Sequence, residues 1–139
     1  MNKINVIFLL LFVAVSGLNI TAYAQEEPIL YFCESYDSDK GEIGVSDRFT
    51  TGYLTVMVKS DYVLNLDDVN IQFDKYNFRT GEFEYYKKFA YTVQPDMKYI
   101  YFAKNSESDM KFEEPGFYRV FLLDSRDKTV ASALIEIIR

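Results

Sequence analysis

The sequence contains no histidine and no tryptophan, a single cysteine, three prolines and six glycines in 139 residues. The absence of histidine removes the commonest general base, the commonest zinc ligand and every Ser-His or Cys-His nucleophile arrangement. One cysteine allows no internal disulfide, so stability has to come from packing. Cys33 reads as a small buried hydrophobe, with a dimer bridge or a reactive thiol as the alternatives. Basic residues are also in deficit, 15 Lys and Arg against 21 Asp and Glu. An excess of acid argues against binding to a phosphate backbone, so nucleic acid is not an expected partner. No glycine-rich loop of the phosphate-cradling kind is present, and after the N-terminal region no run of ten residues carries helical periodicity.

What is present begins with an export signal. Met1-Asn2-Lys3 supplies a positive start, residues 4–18 are apolar apart from Asn5, Ser16 and Gly17, and Ala22-Tyr23-Ala24 is a small-residue cleavage signature. The apolar core is shorter than the roughly 20 residues of a spanning helix. Cys33 follows Leu30-Tyr31-Phe32, which are too bulky for a lipid-attachment site. The expectation is a cleavable signal peptide over residues 1–24. Residues 25–139 would then form a single soluble domain, periplasmic or extracellular, with no membrane span in the mature chain. Lys3 is the only charge in the leader, so cleavage makes the mature chain slightly more acidic.

The mature part alternates apolar and polar residues with period two, the pattern of half-buried strands. Seven strands are expected, at 29–34, 53–60, 69–76, 82–91, 97–104, 116–124 and 129–138. Residues 69–91 form one hairpin around Asn77-Phe78-Arg79-Thr80-Gly81, and residues 116–138 form a second. Residues 35–52 are rich in Gly, Ser and Asp and read as a long loop. Lys87-Lys88 reads as protection of an exposed strand edge.

The strongest strand opens with Pro115-Gly116, a turn, and continues Phe117-Tyr118-Arg119-Val120-Phe121-Leu122-Leu123-Asp124. The pattern Pro-Gly-x-Tyr-x-Val-x-Leu-x-Asp resembles the penultimate strand of bacterial immunoglobulin-like and fibronectin-type-III-like domains, over about residues 112–138. The resemblance implies an all-β fold, a seven-stranded antiparallel immunoglobulin-like β-sandwich. It also implies that the Tyr118 hydroxyl turns back to nearby backbone as a tyrosine corner. The paired cysteines and core tryptophan of antibody domains are missing. By strand count alone a small closed barrel is the alternative fold.

No catalytic residue, cofactor site or metal site is assigned, and an enzyme is not expected. The nearest approach to a metal loop is Asp37-Ser38-Asp39-Lys40-Gly41-Glu42, whose oxygens suit calcium. It departs from the EF-hand pattern, with glycine at the fifth position and Arg48 at the twelfth. Aromatic residues are abundant, 12 Tyr and 12 Phe. Tyr85, Tyr86, Tyr99 and Tyr101 could make a stacking platform for carbohydrate, or they could simply cover sheet faces. If Tyr118, Val120 and Leu122 face the core, then Phe117, Phe121 and Leu123 face outward with Arg119. Either aromatic neighbours or the 35–52 segment cover them, or they form a docking face for a protein partner or a second copy. The function expected is a non-catalytic, exported protein-binding or assembly module of the cell envelope, with a carbohydrate-binding module as the alternative.

Overall fold

The computed structural model describes residues 27–106 and 108–139, and every regular element among them is a β-strand. The signal peptide expected at 1–24 lies outside the described residues. In chain order the strands are β1 (Ile29–Cys33), β2 (Ser35–Asp37), β3 (Gly41–Ile43), β4 (Arg48–Thr50), β5 (Gly52–Tyr53) and β6 (Thr55–Lys59). They continue with β7 (Asp68–Asn77), β8 (Glu82–Thr92), β9 (Tyr99–Phe102), β10 (Lys111–Phe112), β11 (Gly116–Leu123) and β12 (Thr129–Ile138).

Two sheets carry the architecture. One has the order β1-β6-β9, and the other β4-β12-β11-β7-β8. All their pairings are antiparallel except β4 with β12, which is parallel. Alternation puts Leu30, Phe32, Val56, Val58, Ile100 and Phe102 of the smaller sheet on one side. They join Ile71, Phe73, Tyr118, Val120, Ile135 and Ile137 of the larger sheet in one buried cluster. The two sheets are not hydrogen-bonded into one closed sheet, so the arrangement is a sandwich and not the small barrel. In the letters used for immunoglobulin-like sandwiches the smaller sheet is A-B-E and the larger A′-G-F-C-C′.

Twelve strands replace the expected seven. Each expected strand is present, but residues 53–60 break at Leu54 into β5 and β6, and β2, β3, β4 and β10 are additional. The 35–52 segment is therefore not a loop. Asp37 Oδ1 accepts the amides of Asp39 and Lys40, and Gly41 supplies the positive φ (79°) that lets β2 turn into β3. Short polar strands of three residues fall below the length at which alternation can be read.

The β2–β3 hairpin lies on the outer face of the smaller sheet. Cys33, Thr55 and Met57 point away from the core by alternation, yet they are 0%, 4% and 0% exposed, because this hairpin covers them. Among the described residues no helix is long and apolar enough to cross a membrane.

Candidate docking face

On β11 the inward set is Tyr118, Val120 and Leu122, all fully buried. Tyr118 donates from its hydroxyl to the Glu114 carbonyl four residues upstream, at 2.6 Å. Its ring meets Phe112 edge-on at 5.1 Å and Tyr86 at 5.5 Å. Burial, followed by the neighbouring Tyr86, pushes the Tyr118 phenol well above its ordinary pKa. Gly116 holds φ 149° with Lys75 close to where a Cβ would stand, so the strand enters where only glycine sits without strain.

The outward set is not the trio read from the sequence. Phe117 is 44% exposed and Phe121 is half-buried, but Leu123 is only 6% exposed. The β11–β12 register shifts between Leu122 and Leu123. The extra residue, Val130, is on β12, and β11 keeps its register with β7 through Leu123 opposite Asn70, so Leu123 retains the outward parity and is nonetheless buried. Leu123 therefore leaves the face.

The rest of the face comes from β7, β8, the turn between them, and β12. Phe117 lies 6.1 Å from Phe78, which meets Tyr76 edge-on at 5.0 Å, and Tyr76 meets Phe83 at 5.2 Å. The Arg119 guanidinium sits 4.8 Å from both the Phe83 and Phe121 rings, and it reaches the nearly buried Asp74 carboxylate at 3.5 Å. Arg119 Nε is buried without a partner, which is costly unless something at this face accepts from it. Phe78 is 73% exposed at the tip of a turn closed by Gly81 N–H to the Asn77 carbonyl. Tyr85 and Leu134, 66% and 62% exposed, extend the apolar surface on either side.

Sequence reading missed Phe78, Tyr76, Phe83 and Leu134. Phe78 sits in a turn, where no periodicity applies. The other three were legible only through cross-strand register, which pairs Tyr76 with Phe83 and Arg119 with Leu134.

The 35–52 segment does not fold over this face; its β4 joins the edge of the larger sheet beside β12, and its β2–β3 hairpin lies on the opposite sheet. There the Tyr31 hydroxyl donates to Glu42 Oε1, and Tyr36 stacks on Tyr101 at 4.5 Å. The hydroxyls of Tyr31 and Tyr99 hold the Glu42 carboxyl down to about 2. In turn, burial and then the bond to Glu42 push Tyr99 up to about 12. Glu42 is thus engaged by phenols and Asp37 by its own turn. Among the described residues no group of three His, Cys, Asp or Glu side chains could hold a metal ion.

The four tyrosines proposed as a platform are divided. Tyr85 is on the outer face of the larger sheet, Tyr86 packs on Tyr118, and Tyr99 and Tyr101 belong to the outer side of the smaller sheet. Alternation alone sends the consecutive Tyr85 and Tyr86 to opposite faces of β8, and Tyr99 and Tyr101 are on β9 of the other sheet.

No family model matches the chain, and no curated protein matches it. Among solved structures it is similar to an immunoglobulin-like protein from Pseudomonas aeruginosa. The likeness spans 83% of this chain and 99% of that one, at 12% identity and a TM-score of 0.45.

Proposed function

We propose that this chain is an exported, non-catalytic β-sandwich that binds a protein partner at the cell envelope through the outer face of its larger sheet. The observation that supports this reading is the run of aromatic side chains from Phe117 through Phe78 and Tyr76 to Phe83, with Arg119 between Phe83 and Phe121. Aromatic residues and arginine are the side chains that carry most binding energy at protein interfaces. Export is supported by the N-terminal signal pattern, and the lack of an enzymatic role by the absence of histidine.

The test is retention from envelope extract by the purified protein and by a Phe78→Ser/Phe117→Ser double variant. Phe78 is largely exposed and Phe117 nearly half exposed, so the variant should keep its circular dichroism spectrum and change little in melting temperature. A specific protein retained by the parent should be lost. Equal retention by both proteins would remove the face from the reading. The competing carbohydrate-binding function is addressed by a glycan array, where saturable binding to one glycan class would displace the proposal.

A further inference from the structure

The smaller sheet ends at β9, and the larger sheet overhangs it. Ser60 N–H donates to the Lys98 carbonyl at 2.8 Å, and the β6–β9 register continues as Val58 with Ile100 and Val56 with Phe102. Antiparallel ladders alternate, so residues 98, 100 and 102 direct their main-chain groups to β6. The N–H and C=O groups of Tyr99 and Tyr101 are thereby directed off the edge, where no described strand or loop bonds to them. Across the core from this edge stands β8, the end strand of the five-stranded sheet. Its inner side chains Phe89 and Tyr91, followed by Val93, pack on the core but stay only half-buried. A groove of about 460 Å³ lined by Tyr91, Val93, Met97, Ile100, Tyr101 and Phe102 runs between the two edges.

We propose that the free edge of β9 accepts a short extended segment of a partner protein as an added strand, apolar at alternate positions and acidic at its ends. This site is separate from the aromatic docking face on the other sheet. A row of main-chain donors and acceptors at strand spacing is met by another strand, and the apolar groove beneath it selects every second side chain of that strand. Two lysines specify the ends. Lys98 and Lys104 bracket β9, and among the described residues their hydrogen bonds go to uncharged groups, the Asp61 carbonyl and the Tyr53 hydroxyl, with the Asp109 charge also acting on Lys104; acidic residues would complement them. The same pair disfavours a second copy as occupant. Antiparallel self-pairing at β9 would bring two acidic chains together and place lysines of both copies along one seam.

The experiment uses a synthetic heptapeptide, Asp at both ends and Val alternating with Thr between them. It is titrated into the full chain while amide exchange is followed by NMR. Slowed exchange at Tyr99 and Tyr101 that saturates with peptide is expected, with weaker binding of a Lys-ended peptide. Tyr101→Pro deletes one off-edge donor at a position where an edge strand tolerates proline. It should weaken binding about tenfold or more, the equivalent of about 1.4 kcal/mol. Tyr101→Ala loses the same groove-lining ring but keeps the donor, and should bind clearly more tightly than Tyr101→Pro. Absence of protection at millimolar peptide, or equal loss in both variants, would overturn the proposal. So would protection already present in the free protein with a dimer mass in sedimentation, which would identify the occupant as a second copy.

Discussion

Tyr118 is where one atom does the most for this fold. Its ring is fully buried among aromatics and its hydroxyl donates to the carbonyl of Glu114, an exposed residue, so Tyr118→Phe removes that bond. A loss of about 1 kcal/mol or somewhat more is expected, read as a lower urea midpoint at unchanged slope. An unchanged midpoint would mean the bond is replaced at no cost. Glu42 makes a different demand, on pH. Its folded pKa of about 2 lies below the ordinary carboxylate value because the Tyr31 and Tyr99 hydroxyls donate to the charged form. The contribution is therefore complete above about pH 4.5 and is lost as pH falls toward 2. In Glu42→Gln that part of the acid dependence should vanish, which denaturation midpoints measured from pH 5 to pH 2 will show.

Among the elements, the β2–β3 hairpin is fastened by the bonds of Tyr31 and Tyr99 to Glu42, the Tyr36 ring on Tyr101 and Tyr99, Cys33 Sγ to the Ser35 carbonyl, and the Glu34 amide to the Ile43 carbonyl. Tyr36→Ala removes a stacked pair worth about 0.5–1.5 kcal/mol. It should speed reaction of Cys33 with 4,4′-dithiodipyridine well before global unfolding. Labelling at the parent's rate would place the main fastening elsewhere.

This hairpin also marks where the sequence stopped being legible. Long strands such as β7 and β12 announce themselves because one face of each is buried along its length, and alternation over ten residues has no other reading. The Tyr118 corner was suggested by a pattern of side chains around a turn. The hairpin over the smaller sheet depends on Glu42 meeting tyrosines from other strands, a contact with no local signature. For the docking face, Phe117 and Phe121 were readable from strand parity, whereas Leu123 keeps the outward parity but is buried, which alternation does not report, and Phe78 was hidden in a turn.

At the scale of the whole molecule, one buried cluster is shared by both sheets, so the sandwich should unfold as a unit while the hairpin opens on its own. Cys33, the only thiol in the chain, is completely covered, and burial followed by the Glu42 charge pushes its pKa up. A thiol that is both sealed and protonated is a poor nucleophile. In an oxidising compartment the molecule would thus age without intermolecular disulfides, and covalent pairing of two chains would be timed by the opening of a nine-residue flap (35–43) instead of by how often the chains collide.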